Sequence, residues 1–209
     1  MGTPRPKRLV VLVSGNGSNL QAVLDACDDG SLDAEVVAVV SDRPDVFALQ
    51  RADAAGVPAV HVGVHPDERR ADYDARLADV VAGFDPDLIV LAGWMRILTM
   101  SFLGWFPSQV VNLHPALPGE LPGTRAIERA WDEALAGTRT RTGIMVHLVP
   151  DEGVDDGPVL ATATVDIDVE AGFDAFADTV HAAEHRLLVA TLTDLCASTG
   201  AAHRTEVSA

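Results

Sequence analysis

Arg8-Leu-Val-Val-Leu-Val-Ser14-Gly-Asn-Gly-Ser-Asn19 is the stretch that decides the fold of this chain. Its aliphatic run has no polar face, as expected of a strand covered on both sides. Two glycines then turn the chain, and Ser18 opens a helical pattern that reaches about residue 29. Strand, glycine turn and helix in that order begin a parallel α/β sheet. The alternation continues downstream. Residues 35–41, 58–62 and 87–92 read as further strands, with helices between them over 44–55 and 72–83.

The second half is less regular. Residues 109–113 form a strand that ends on Asn112-Leu-His-Pro115, and a helix over 124–136 follows a loop rich in proline and glycine. Strands over 142–149 and 158–165 precede a long amphipathic helix over 175–197. Residues 1–8 and 200–209 show no pattern that would pair them and are expected to fray. The expected architecture is one α/β domain, a mostly parallel twisted sheet with helices on both faces. It divides loosely into an N-terminal half (about 9–100) and a C-terminal half (about 101–198). Ligands in such sheets gather beyond the carboxyl ends of the strands.

Composition narrows the function. Of the 209 residues 48% are hydrophobic and 22% charged, which excludes general disorder. No apolar run is long enough to span a bilayer. The basic N-terminus meets Ser14, Gly15 and Asn16 too soon to form a secretory signal. Cys27 and Cys196 lie far apart in sequence and read as reduced thiols in a cytoplasmic protein. Fifteen basic against 31 acidic residues give a net charge of −16, a field that repels nucleic-acid backbones. Lys7 is the sole lysine, which fits either a GC-rich coding sequence or a surface adapted to salt, and names no function.

Several segments carry chemistry. The Gly15–Gly17 turn allows close approach of a ligand to backbone N–H groups at a helix N-terminus, which suits phosphate. The plainer reading is a tight turn capped by Ser18. The glycine spacing fits neither a dinucleotide nor a nucleoside triphosphate loop. On a strand Asn112 and His114 project to one side. An amide donor beside an imidazole suits acyl-type transfer, although a histidine satisfied at a strand end is an equally simple account. Asp151-Glu-Gly-Val-Asp-Asp-Gly-Pro158 is an acidic loop in which a carboxylate could support an imidazolium. It lacks the calcium-loop ladder, and no histidine or cysteine spacing suits zinc, so no metal is expected. Ala92-Gly-Trp-Met-Arg-Ile-Leu98 leaves the fourth strand with backbone groups for a flat polar ring and apolar walls in Met95, Ile97 and Leu98. Glu184 shares a helix face with His181.

Together these segments resemble the folate-dependent glycinamide ribonucleotide formyltransferases. The likeness runs from about residue 9 to residue 192, and the four motifs beginning at Ser14, Ala92, Asn112 and Asp151 occur in that family's order and spacing. It implies a Rossmann-like formyltransferase fold. It also implies transfer of a formyl group from 10-formyltetrahydrofolate to the amine of phosphoribosylglycinamide, in de novo purine synthesis and without a metal. By the same resemblance Gly17, Ser18 and Asn19 hold the ribonucleotide phosphate, and Glu184 lies near its amine or sugar. The folate falls to Arg70, Met95, Arg96, Ile97, Leu98, Asn112, Asp151 and Asp155. Asn112, His114 and Asp155 match the catalytic three. The partners implied are small molecules only, with no nucleic acid and no membrane, for a monomer or homodimer.

Two departures stand out. Residues 115–123 read Pro-Ala-Leu-Pro-Gly-Glu-Leu-Pro-Gly where many members have Leu-Leu-Pro. Asp156 stands where a small or hydroxyl residue is usual, and spacing gives the catalytic role to Asp155. The alternatives are a formyltetrahydrofolate hydrolase, a formyltransferase acting on a sugar or other amine, and a silent binding protein of the same fold.

Overall fold

A computed structural model describes residues 5–197. Strands β1 (Lys7–Val13), β2 (Ala34–Ser41), β3 (Ala59–His61), β4 (Leu88–Leu91), β5 (Val110–His114), β6 (Arg141–Leu148) and β7 (Val159–Asp166) form one sheet in the order β3-β2-β1-β4-β5-β6-β7. The first five are parallel, and β6 and β7 add on antiparallel. Helices α1 (Ser18–Asp28), α2 (Phe47–Ala54), α3 (Arg70–Ala82), α5 (Ala126–Leu135) and α6 (Phe173–Ala197) match the helical periods in the sequence. The single-turn helix α4 (Met100–Leu103) is too short to leave a period.

Strand β1 shows why the aliphatic run works. Leu9 through Val13 are all fully buried. Leu9, Val11 and Val13 pack into one core with α1 and α6, while Val10 and Leu12 pack into the other with α3 and α4. Alternation thus sends successive side chains into two cores, each buried side chain contributing about 1.5–3 kcal/mol. Large aromatic and aliphatic groups such as Tyr73, Leu77 and Phe102 close the α3 side, and Leu188 and Leu192 the α6 side.

The N-terminus departs from the expected fraying. Lys7 and Arg8 are part of β1, because Asp87 collects them: the Arg8 backbone N–H donates to Asp87 Oδ2 at 2.8 Å, and Arg5 Nη1 pairs with the same oxygen at 2.8 Å. Residues 1–4 and 200–209, where fraying was also expected, lie outside the described residues. Among the described residues no helix is long and apolar enough to cross a membrane.

Strand order reverses at β1. The chain runs outward to β2 and β3, then returns to β4 on the other side, so the connections leaving β1 and β4 diverge over the sheet. The Ser14 N–H donates to the Gly93 carbonyl at 3.1 Å and joins the two loops at their base. A cavity of about 470 Å³ opens above this point, at the carboxyl ends of β4 and β5.

Candidate active site

Asn112 and His114 stand two residues apart on β5 and both line the cavity. Their partner, Asp155, belongs to the loop between β6 and β7 and has a left-handed backbone, φ 54°. Such a conformation is costly for a residue with a side chain. Here it turns the carboxylate onto a ring of donors. Asp155 Oδ1 accepts from Asn112 Nδ2 at 3.1 Å, and Oδ2 accepts from the Gly123 N–H at 2.8 Å. Oδ2 also lies 3.3 Å from His114 Nδ1.

Chemistry fixes the orientation of the Asn112 amide. Were its oxygen and nitrogen exchanged, two oxygens would face each other across 3.1 Å. The second Asn112 N–H meets His147 Nε2 at 3.1 Å, and His147 Nδ1 donates to the Leu148 carbonyl at 2.8 Å. With Nδ1 turned to the Leu148 carbonyl, His147 Nε2 faces Asn112 and also lies 3.6 Å from Asp155 Oδ1. The residue sits on β6 directly across from Asn112. His147 and Gly123 are the members of this cluster that sequence reasoning missed. The alternation of β6 hints at an inward-facing residue 147, but the pairing that sets it against Asn112 is not written locally.

His114 is only 4% exposed, with acceptors at both ring nitrogens: Asp155 at Nδ1, and the Leu121 carbonyl 3.0 Å from Nε2. Burial pushes its pKa below the ordinary histidine value, opposed by the Asp155 charge and the Leu121 carbonyl. Burial thus works against the imidazolium, while the acceptors at both ring nitrogens favour it. Burial alone would raise the Asp155 carboxyl. The neighbouring His147 imidazole, the Gly123 N–H and the nearby His114 outweigh it and hold Asp155 below the usual carboxylate range. Asp156, the neighbouring candidate, is exposed.

Residues 93–99 make another wall. The Met95 N–H donates to Ser14 Oγ at 3.0 Å, and the Thr99 N–H to the buried Asp74 Oδ2 at 2.7 Å. The Met100 N–H donates to Glu152 Oε1 at 2.9 Å, tying this loop to the acidic one. With both ends held, Arg96, Ile97 and Leu98 line the cavity between them. Met95 and Ile97 are exposed at 53% and 44%, whereas Leu98 is buried. Arg96 lies over the Tyr73 ring at 5.1 Å and 4.0 Å from Asp42. Asp151 lines the cavity and accepts from the Gly153 N–H at 2.9 Å. Arg70 is placed elsewhere: it is exposed as the first residue of α3 and does not line the cavity.

The glycine turn closes the opposite wall, where Ser18 and Asn19 line the cavity. Gly17, at φ 77°, occupies the N-cap of α1, and Ser18 is the first helical residue instead of the cap. No side chain caps this helix and no acidic residue stands in its first turn, so its first N–H groups and positive dipole end are free for an anion. Asn19 Oδ1 is buried without a hydrogen-bond partner. From α6, the buried Glu184 reaches the same cavity and accepts from His181 Nδ1 at 2.7 Å, which raises the His181 pKa. Among the described residues no cluster of carboxylate, imidazole and thiol groups could hold a metal ion.

The chain as a whole is similar to known proteins. The formyl transferase family profile matches residues 7–192. The phosphoribosylglycinamide formyltransferase of Schizosaccharomyces pombe is 42% identical over 193 residues, 87% of this chain and 93% of that protein. The enzyme of the same name from Escherichia coli is 36% identical over 179 residues, 86% of this chain and 82% of its own. Among solved structures, glycinamide ribonucleotide transformylase 1 from Symbiobacterium toebii superposes with a TM-score of 0.86 at 34% identity. That match covers 93% of this chain and 90% of the other.

Proposed function

Since the chain belongs to the formyl transferase family, we propose that it moves a formyl group from 10-formyltetrahydrofolate to the amine of phosphoribosylglycinamide, as a cytoplasmic step of purine synthesis. The observation that carries this reading is one cavity with three kinds of wall. It has a polar trio at Asn112, His114 and Asp155, an uncapped helix N-terminus beside Gly17, and an apolar rim at Met95 and Ile97.

The cavity volume falls in the usual range for small-molecule sites. The phosphate sits against the first N–H groups of α1, at Gly17, Ser18 and Asn19. Glu184 accepts from the sugar hydroxyls or the amine. The folate ring lies along residues 95–98 and the acidic loop, with Asp151 and Asp155 beside it, and brings the formyl group toward Asn112 and His114.

The amine nitrogen then attacks the formyl carbon. As that carbon becomes tetrahedral, its oxygen gains negative charge, and two donors meet it. Asn112 supplies the N–H now given to His147. His114 supplies Nε2–H in exchange for the Leu121 carbonyl. Asp155 favours the imidazolium that this step requires, offsetting burial at the moment of need. The bond from carbon to the folate nitrogen breaks, and the proton lost by the amine reaches that nitrogen through His114. Holding both reactants in one cavity turns a bimolecular step into an effectively unimolecular one.

The test is acceptor dependence. Purified protein with 10-formyltetrahydrofolate is expected to release tetrahydrofolate only when phosphoribosylglycinamide is added. Equal release with water alone would make it a hydrolase, and a preference for an amino sugar nucleotide would move it to another branch of the family.

A further inference from the structure

Helix α2 belongs to neither wall of the cavity, yet it is built against the glycine turn. The Ala48 N–H donates to the Gly15 carbonyl at 3.2 Å. A Cβ placed on Gly17 would lie 2.6 Å from Ala48 Cβ, so the turn rests directly on this helix. One helical turn later, Arg51 spends its guanidinium on the same segment. Nε donates to the Asn16 carbonyl at 3.0 Å, Nη2 to Asn16 Oδ1 at 3.0 Å, and Nη1 to Gln21 Oε1 at 3.0 Å. Its plane is fixed by the Phe47 ring, with the guanidinium carbon 4.6 Å from the ring centroid.

None of those three acceptors is a carboxylate. Arg51 forms no ion pair among the described residues, in contrast with Arg5, Arg69, Arg76 and Arg139, which do. In a chain of net charge −16, a full positive charge is thus held without neutralisation beside a helix N-terminus, where it adds to the dipole. A guanidinium that only stapled a loop would gain more from a carboxylate.

We infer that Arg51 is a positioning residue for the phosphate-bearing substrate: it holds the Asn16–Gly17 turn in its anion-binding form and lends that turn its charge. The inference rests on the proposed placement of the phosphate at Gly17, Ser18 and Asn19, and it gives α2 a part in substrate recognition.

The test uses inorganic phosphate as the probe and the full chain. Amide proton–nitrogen NMR spectra are recorded during phosphate titration for the wild type, Arg51→Met and Arg51→Lys, alongside steady-state kinetics. In the wild type the amides of Gly17, Ser18 and Asn19 are expected to shift on binding. Arg51→Met keeps the stem over Phe47 but loses charge and donors, so phosphate affinity falls and the KM for phosphoribosylglycinamide rises about tenfold, an effect of one charge-assisted contact. The kcat and the folate KM stay close to wild type, a split that general loosening of the fold would not produce. Arg51→Lys restores the charge through a single anchor and is expected to recover part of the affinity. Should Arg51→Met fail to fold, Arg51→Lys carries the test through its own rise in nucleotide KM. Wild-type phosphate affinity and KM in the folded variants would overturn the inference alone. No shift of the turn amides in the wild type would overturn the phosphate placement, and the inference with it.

Discussion

Replacing Asp155 by asparagine removes one negative charge and changes little else in volume. Its Oδ2 lies 3.3 Å from His114 Nδ1. At an effective dielectric of about 20 the Coulomb attraction at that distance is about 5 kcal/mol, which serves as a ceiling. Opposite charges at such range favour an ionised group by about 1.4–4 kcal/mol in practice. The imidazolium of His114 is already opposed by burial, so losing this support lowers its pKa further. If the transition state needs the charged ring, kcat in Asp155→Asn falls about ten- to a thousandfold. The limb of the pH–rate profile on which activity is lost with rising pH moves to lower pH.

A second consequence separates this change from a simple loss of charge. Three donors converge on the carboxylate, namely Asn112 Nδ2, the Gly123 N–H and His114 Nδ1. An amide has one acceptor oxygen, so at least one donor is stranded or loses its alignment, at about 1–3 kcal/mol of stability. The assay is kcat from pH 5 to 9, measured well below the melting temperature, with the variant's thermal unfolding recorded in parallel. Asp156→Asn is the matched control, since it removes the same charge from an exposed position one residue away. An unchanged rate and pH profile in Asp155→Asn, or a larger loss in Asp156→Asn, would refute the reasoning.

Three further outcomes follow from the walls of the cavity. Gly17→Ala forces a Cβ to 2.6 Å from Ala48 Cβ at a backbone φ of 77°, so the turn must rebuild; nucleotide KM is expected to rise more than folate KM, and the reverse order would count against the phosphate site. Glu184→Gln withdraws the carboxylate that raises the His181 pKa, so the His181 titration followed by NMR moves downward. In the wild type this pair contributes stability that is complete below the ordinary histidine value of 6.5 and is lost as pH rises through the raised one; a His181 titration indifferent to Glu184→Gln would refute the pairing. Ile97→Ala trims an exposed side chain of the rim, so folate affinity is expected to fall by about 1–3 kcal/mol with little change in melting temperature. Full folate affinity in that variant would place the ring elsewhere.

What could be read in the sequence was whatever one segment specifies alone. The aliphatic run at β1, the glycines after it and the alternation that puts Asn112 and His114 on one side are local facts, and the structure shows them. What escaped depends on chain segments meeting. His147 faces Asn112 only because β6 pairs antiparallel with β5 in one register, and registers of distant strands are not legible locally. Gly123 reaches Asp155 across 32 residues, through a loop with left-handed residues at Leu121 and Arg125 that no propensity announces. Ser18 looked like a cap because capping residues favour that type; Gly17 took the position because α2 leaves no room there for a Cβ. The part given to Arg70 came from the resemblance alone; the residue stands on the exposed start of α3, outside the cavity, where only a portion of a ligand projecting beyond it would meet the side chain.

The most direct measurement of the central claim follows the carbon itself. The protein is given 10-formyltetrahydrofolate labelled with carbon-13 in the formyl group, together with phosphoribosylglycinamide, and the products are read by NMR and mass spectrometry. The account predicts label in the formylated nucleotide, one for each tetrahydrofolate released, with none as free formate. It also predicts that transfer nearly stops in His114→Ala while both substrates still bind. Label appearing as formate whether or not the amine is present would contradict it, because the cavity would then deliver water to the formyl carbon in place of the nucleotide.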